Sequence, residues 1–318
     1  MDNTPPVDQV FSLASKLRST IETVIEGKTE AVDMALVVLL SGGHLLIEDS
    51  PGVGKTMLAR TLARAIDCSV KRIQFTADLL PSDITGVSIF RPDTRSFEFK
   101  PGGVFANIVI GDEINRASPK TQSALLEAME EQRVSVDGAT HLLPRPFMVV
   151  ATQNPVEMQG TYPLPEAQRD RFTACIAMGY PTRAAEQAML DHHVAEDPID
   201  RIVAVTNGDE VQAAAGIIRQ IFVHASLKQY IVEVLDRTRT DARVRLGASP
   251  RAGLQWARAT KALAAMSGRG YVIPEDIASL AVPVLSHRLI LNTGGSTRTA
   301  TSEVVADILA RVPRPRRG

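Results

Sequence analysis

The pattern of apolar residues divides the chain into two halves. In the first half, runs of strand length alternate with helical patterns, and in the second half the pattern is helical. Apolar runs of strand length occur at 44–48, 71–75, 107–111 and 147–151. Helical patterns precede or separate them at 7–26, 30–40, 57–66 and 119–132. Because strands that alternate with helices form parallel sheets covered on both faces, this half predicts an α/β core.

Two segments interrupt that alternation and have the pattern of β-hairpins. In the first, residues 87–90 and 96–99 flank a polar stretch at 91–95. In the second, residues 133–136 and 139–142 flank Asp137-Gly138, a dipeptide favoured in type I′ hairpin turns. We therefore predict two hairpins inserted into the α/β core.

From Tyr180 onwards the pattern is helical almost throughout. The predicted helices span about 183–193, 210–221, 226–240, 250–266, 274–290 and 301–311. A chain of 318 residues exceeds the size at which a single core usually stops growing, so more than one domain is expected. We predict an N-terminal helical segment at 1–29, an α/β core at 30–182 and a helical second domain at 183–318.

A phosphate-binding loop is predicted between the first strand and the following helix, where the sequence is Ser-Pro-Gly-Val-Gly-Lys-Thr. Glycines let the backbone approach phosphates, and the helix N-terminus attracts anions. The lysine supplies charge at the β- and γ-phosphates. The general pattern expects glycine at the position of Asp49, so the match is incomplete. The residues predicted to contact ATP are Ser50, Pro51, Gly52, Val53, Gly54, Lys55, Thr56 and Met57.

Two further polar groups follow predicted strands. Asp112 and Glu113 end one apolar strand, and Asn154 follows another. Ligands of parallel sheets bind at the carboxyl ends of the strands, so these side chains are expected to face the nucleotide. Asp112 and the Thr56 hydroxyl would hold Mg²⁺, Glu113 would deprotonate the attacking water, and Asn154 would contact the γ-phosphate or the water.

Two longer blocks resemble those of MoxR-family AAA+ ATPases. One runs from Gly111 to Glu131 with the sequence GDEINRASPKTQSALLEAMEE. The other runs from Ala151 through the GTYPLPEAQ stretch to the Asp170-Arg171-Phe172 tripeptide. The resemblance extends from about residue 10 to about residue 290. It implies a P-loop AAA+ core with a helical lid, and it places the two hairpins among the inserts of the helix-2-insert clade.

The resemblance also implies roles for individual residues. Asn154 would be sensor 1 and Arg251 would be sensor 2, carried by the lid. Arg171 would be the arginine finger that reaches the nucleotide of a neighbouring subunit, although Arg169, two residues earlier, is an alternative. Ser249 and Pro250 favour a helix start at the next residue, which places Arg251 in the first turn.

The resemblance further implies a chaperone-like remodelling or maturation factor that works as a ring, usually a hexamer, with a von Willebrand factor A domain partner. A nucleic-acid-directed motor is one alternative, but the Asp137 hairpin tip is acidic and only 4% of residues are aromatic. An ATP-gated scaffold with little turnover is another, and the presence of Asp112, Glu113, Asn154 and Arg171 disfavours it.

The net charge and the composition bear on the partners, the cellular compartment and the cofactors of the protein. The formal net charge of -1 disfavours bulk attraction to nucleic acid or anionic membranes. The two cysteines, Cys68 and Cys175, and the absence of a signal-peptide pattern or an apolar span predict a cytoplasmic protein with reduced thiols. The six histidines lack the spacing of metal ligands, which disfavours a metal enzyme. The cofactors expected, from the phosphate loop and from Asp112, are ATP and Mg²⁺.

Overall fold

The computed structural model describes residues 6–50, 52–154, 162–180, 183, 187, 198–292 and 297–315. Pro51 and most of the helix predicted over 183–193 lie outside these ranges. No helix in the part of the chain described is both long and apolar enough to cross a membrane.

The first half of the chain contains the predicted alternation of strands and helices. In chain order its elements are α1 (Pro6–Glu22), α2 (Thr29–Leu40), β1 (Leu45–Glu48), α3 (Lys55–Ala65), β2 (Val70–Gln74), α4 (Pro81–Thr85), β3 (Gly86–Arg91), β4 (Ser96–Pro101), β5 (Ile108–Asp112), α5 (Pro119–Glu131), β6 (Arg133–Val136), β7 (Ala139–Leu142), β8 (Met148–Gln153), α6 (Glu166–Arg169) and β9 (Ala174–Ile176).

Five parallel strands form the central sheet in the order β2-β5-β8-β1-β9. This arrangement confirms the predicted α/β core. All residues of β5 and β9 are buried, as expected for strands covered on both faces. Strand β9 was not predicted, because three residues are too few to show a period. Since the strands are parallel, the loops that follow β1, β5 and β8 open at one edge of the sheet.

Both predicted hairpins are present. Strands β3 and β4 pair from Gly86 with Pro101 to Arg91 with Ser96. Strands β6 and β7 are joined by Asp137 and Gly138, whose φ values of 51° and 80° match a type I′ turn. The hairpins touch each other, because the ring of Phe99 stacks on that of His141 with centroids 3.7 Å apart.

The second half is a helical domain with one small sheet. Its elements are α7 (Gly208–Arg219), α8 (Ala225–Thr240), β10 (Val244–Leu246), α9 (Pro250–Met266), α10 (Pro274–Leu285), β11 (Ile290–Leu291) and α11 (Arg298–Arg311). The helix predicted over 274–290 ends five residues early. Residues 286–288 form a 3-10 turn that points His287 and Arg288 inward, and β11 then pairs with β10.

The N-terminal helix α1 joins the two halves. Its buried face consists of Val10, Ala14, Leu17 and Ile21. It packs against α2 and α3 of the core and against α7 and α9 of the helical domain. These residues belong to one continuous apolar cluster that also contains the fully buried Trp256. The domain boundaries after residues 29 and 182 remain predictions.

A buried histidine stands at the start of β1 and predicts acid sensitivity of the fold. The Nδ1 atom of His44 accepts a hydrogen bond from the Val149 amide at 3.0 Å, and Nε2 lies 3.1 Å from the Met129 carbonyl oxygen. Nδ1 therefore carries no proton. Burial lowers the pKa of His44 from 6.5 to about 4, so the folded chain holds this imidazole neutral where the unfolded chain protonates it.

The stability contributed by neutral His44 should therefore be lost as pH falls from 6.5 towards 4. We expect the free energy of unfolding to drop by about 2 kcal/mol from this group between pH 7 and pH 5. Urea denaturation at both pH values measures it. His44→Gln should show a smaller pH dependence than the wild type. Equal slopes for the two proteins would contradict the assignment.

Candidate active site

The loop between β1 and α3 has the geometry of an anion cradle. Gly52 and Gly54 adopt φ values of 81° and 89°, in the left-handed region that favours glycine. The space where a Cβ of Gly52 would lie is open. Helix α3 begins at Lys55 without an acidic residue in its first turn, so its N-terminus favours a bound anion.

Lys55 is held over this loop by a backbone carbonyl of the loop. Its Nζ atom donates a hydrogen bond to the Asp49 carbonyl oxygen at 2.7 Å. Partial burial lowers the pKa of Lys55, while the nearby carboxylates of Asp49, Asp112 and Glu113 act in the opposite direction. The ammonium group therefore lies among acids in a partly desolvated position, where a phosphate would offer it an additional partner.

The departure from the phosphate-loop pattern at Asp49 has a structural explanation. The Asp49 carboxylate accepts hydrogen bonds from the amides of Ser50 at 2.8 Å and Gly179 at 2.6 Å. The ammonium of Lys28 fixes the same segment through the carbonyl oxygens of Met178, Gly179 and Tyr180. A glycine at position 49 would lose the link between the loop and the chain that leaves β9.

Asp112 ends β5 directly beside the first turn of α3. The Thr56 hydroxyl lies 3.3 and 3.4 Å from the two Asp112 carboxylate oxygens. These converging oxygens are hard ligands of the kind that Mg²⁺ prefers, so the pair fits that ion. Asp112 also accepts a hydrogen bond at 2.6 Å from the guanidinium of Arg72 on β2.

Glu113 is held in an unusual conformation by its neighbours. Its φ of 55° lies in the left-handed region, which is strained for a residue with a Cβ. Its amide donates to the Thr152 hydroxyl at 2.9 Å. Its Oε2 atom accepts from Gln74 Nε2 at 3.2 Å and Arg116 Nη1 at 2.8 Å. The carboxylate is therefore aimed by contacts outside the Asp-Glu motif.

Sequence reasoning missed Arg72, Gln74, Arg116 and Thr152 as neighbours of the two acids. Arg72 and Gln74 reach them because β2 pairs with β5, with Gln74 opposite Asp112. Alternation along β2 places both side chains on one face. The alternation places Arg72 and Gln74 beside the acids only once it is known that β2 lies next to β5. Asn154 follows β8 at the same edge of the sheet and is buried.

Arg171 and Arg251 lie together at the opposite edge of the sheet. The Oε2 atom of Glu130 lies 2.9 Å from Arg171 Nε, and its Oε1 atom contacts Arg251 Nη2. The neighbouring carbonyl of Met129 contacts His44, at the start of β1. Lys55 follows the far end of the same strand. The structure therefore does not bring Arg251 to the phosphate loop of its own chain.

Arg171 and Arg169, the two candidates for the arginine finger, differ in the exposure and the partners of their guanidinium groups. The guanidinium of Arg171 is partly exposed and ion-paired with Glu130. The Nε atom of Arg169 is buried and has no hydrogen-bond partner within the described residues. Arg171 is therefore better placed to reach a second molecule.

A buried network from the helical domain supports the Arg171 segment. The Arg288 side chain, only 2% exposed, donates to Asp170 Oδ1 at 2.9 Å and to the Phe172 carbonyl at 2.6 Å. The Ser249 hydroxyl contacts both Asp170 oxygens at 2.9 Å. Gln255 Nε2 donates to the Arg171 carbonyl at 3.3 Å. The position of Arg171 thus depends on the helical domain.

Removing Arg288 should be strongly destabilising. Arg288→Ala leaves the Asp170 carboxylate partly buried without its cation, a change that costs about 3–5 kcal/mol in comparable pairs. Urea denaturation measures the loss. The control is Arg237→Ala, which removes the exposed ion pair with Glu233 and should cost less than about 1 kcal/mol. Similar losses in both variants would contradict the structural role of Arg288.

The chain matches two family models. Residues 44–174 match the ATPase family associated with various cellular activities (AAA), and residues 236–308 match the AAA lid domain. The first match covers the phosphate loop and four of the five strands of the central sheet, and the second covers the helical domain from the end of α8 into α11. Together they confirm the AAA+ core and the helical lid expected from the sequence.

Individual relatives are similar in sequence to this chain over most of its length. The chain is 46% identical over 309 residues to protein YeaC of Bacillus subtilis, and the match covers 97% of each chain. It is 41% identical over 305 residues to Chaperone MoxR1 of Mycobacterium tuberculosis, covering 93% of this chain and 80% of that protein.

A crystal structure from Cytophaga hutchinsonii, of a protein assigned as an ATPase, superposes with a TM-score of 0.88. Its sequence is 36% identical, and the superposition covers 97% of this chain and 98% of that one. The domains, the relatives and the geometry of the phosphate loop agree, and the chain belongs to the MoxR family of AAA+ ATPases.

Proposed function

We propose that this ATPase depends on Mg²⁺, works as a ring of identical subunits and remodels or matures client protein complexes. The observation that carries this proposal is the separation of Arg171 and Arg251 from Lys55 in one chain. Arginines that stabilise charge on a transferred phosphoryl group must reach it. Two chains packed head to tail would place these arginines against the neighbour's nucleotide, and repetition of that contact closes a ring.

Within one subunit the phosphate loop, Ser50 to Met57, would bind the ATP phosphates. Bound Mg²⁺, held by Thr56 and Asp112, would neutralise charge on the β- and γ-phosphates. Glu113 would accept a proton from the attacking water, and Asn154 would position that water or the γ-phosphate. Arg72, which now pairs with Asp112, would compete with the metal for the same carboxylate.

The client-directed role has separate support. The 41% identical relative from Mycobacterium tuberculosis is named a chaperone. The resemblance to MoxR proteins extends the proposal to a hexameric ring with a von Willebrand factor A domain partner. Both cysteines are free thiols, which suits action in the cytoplasm.

Steady-state ATP hydrolysis across protein concentrations tests the proposal. If two chains share each site, turnover should rise faster than linearly with protein, and chelation of Mg²⁺ by EDTA should abolish it. Excess Mg²⁺ should restore it. Specific activity independent of protein concentration down to a monomeric solution, shown by sedimentation, would contradict the shared site. Activity that survives EDTA would contradict the metal requirement.

A further inference from the structure

A groove of about 1010 Å³ lies between the core and the lid, away from the phosphate loop. Its floor is aliphatic and comes from α2, α7, α8 and α9, with Leu40, Ile218, Ile231 and Leu235 among the lining residues. Val232 and Leu254 stand at the groove with 60% and 63% of their surface exposed. A continuous apolar surface of this kind is typical of binding sites.

The charges that line the groove are all of one sign. Six cations line it, and no acidic residue is among the described residues that do so. They come from the segment before β8 and from α7, α8 and α9: Arg145, Arg219, Lys228, Arg239, Arg258 and Lys261. Because the formal net charge of the whole chain is -1, these six positive charges are a local excess at the groove.

Within the described residues, no carboxylate forms an ion pair with any of these six cations. Each ion pair found in the described part of the chain involves other residues, and five of the six cations are exposed. The Lys261 ammonium donates a hydrogen bond to the Arg219 carbonyl at 2.8 Å. Its pKa is lowered by partial burial and by the charge of nearby Lys228. Mutual repulsion of this kind is relieved by an anionic partner.

We propose that this groove binds an acidic amphipathic helix of a partner protein. Its apolar stripe would lie on the aliphatic floor, and Asp or Glu side chains on its flanks would meet the six cations. A helix about 10 Å across and about 13 Å long, roughly two and a half turns, has the volume of the groove. The proposal rests on this surface alone and not on the proposed function.

Other anionic partners fit the surface less well. Single-stranded nucleic acid needs aromatic stacking platforms, and Phe147, which is buried, is the one aromatic side chain among the described lining residues. Anionic membranes favour flat or protruding basic surfaces with apolar residues that insert. Here the apolar residues form a concave floor between two domains.

The groove shares helix α9 with the paired arginines. Pro250, Gly253 and Leu254 line it, while Arg251 on the same turn contacts Glu130. Gly253 lets α9 approach α8 closely, since a Cβ there would lie 2.7 Å from Leu235 Cδ1. A helix bound in the groove would therefore contact the helix that carries Arg251.

Fluorescence anisotropy with a labelled synthetic helix tests the proposal on the full chain without nucleotide. The probe is a 14-residue peptide with leucine at i, i+3, i+4 and i+7 and glutamate on both flanks. Lys228→Glu/Lys261→Glu should weaken its binding at least about ten-fold. Leu254→Asp should weaken it as well. Lys16→Glu, which changes an exposed helical lysine outside the groove, should leave binding unchanged.

A peptide of opposite charge, measured against the double glutamate variant, tests the proposal even if that variant is less stable than the wild type. A lysine-flanked peptide should bind the double glutamate variant better than the wild type, and circular dichroism should show that each variant is folded. Equal binding of both peptides to the wild type, or no binding of the glutamate peptide, would overturn the proposal. Groove-dependent binding of phosphatidylglycerol vesicles or a DNA oligomer instead of the peptide would also overturn it. So would groove-dependent self-association without peptide binding.

Discussion

Replacing Glu113 with glutamine should lower ATP turnover by about 10²–10⁴-fold and leave ATP binding intact. Glutamine has nearly the same shape and can still accept the hydrogen bonds from Gln74 and Arg116 that hold Glu113. It cannot accept the proton of the attacking water. The phosphate loop, Thr56 and Asp112 are untouched, so the affinity for nucleotide should persist.

Steady-state hydrolysis and equilibrium binding of a fluorescent ATP analogue, measured on the same preparation, separate the two effects. The matched control is Glu303→Gln, the same chemical change at an exposed position of α11. It should retain wild-type turnover. Lys55→Ala should lose binding together with turnover. Wild-type turnover in Glu113→Gln would remove Glu113 from the role of base.

The second large effect concerns Arg171. Arg171→Ala should abolish turnover by removing a cation from the neighbour's site, while each chain still binds ATP through its own phosphate loop. Arginine fingers contribute about 10³–10⁵-fold to rate in other phosphoryl-transfer enzymes. Arg169→Ala, a change two residues away, is the matched control and should retain far more activity.

Mixing inactive variants shows whether the arginine acts across subunits. A 1:1 mixture of Glu113→Gln and Arg171→Ala should regain activity, because the first variant can donate Arg171 to the intact Glu113 of the second. In a random mixture, about one interface in four combines them productively. No recovery from mixed rings verified by sedimentation would indicate that Arg171 does not act in trans.

The same approach decides where Arg251 acts. If Arg251 serves the neighbour's nucleotide together with Arg171, a mixture of Arg171→Ala and Arg251→Ala should stay inactive, since no subunit donates both arginines. If Arg251 instead served its own chain, that mixture would recover activity. The shared ion pairs with Glu130 favour the first outcome.

Local sequence determined the features that depend on neighbouring residues along the chain. The Asp137-Gly138 turn, the glycines of the phosphate loop and the Ser249 cap of α9 all have the conformations expected. Each is set by backbone sterics or by a hydrogen bond between residues close in sequence. The alternation of apolar runs likewise determined the parallel sheet.

Only the tertiary structure decided which distant residues meet. The contacts of Arg72 and Gln74 with the acids follow from the pairing of β2 with β5, and β9 is a strand because it lies against β1. The resemblance to MoxR proteins implied Arg251 as a nucleotide ligand without saying of which chain. Its place beside Arg171 depends on how the lid packs on the core, through Glu130 and through contacts of Ser249 and Gln255 between residues far apart in the sequence.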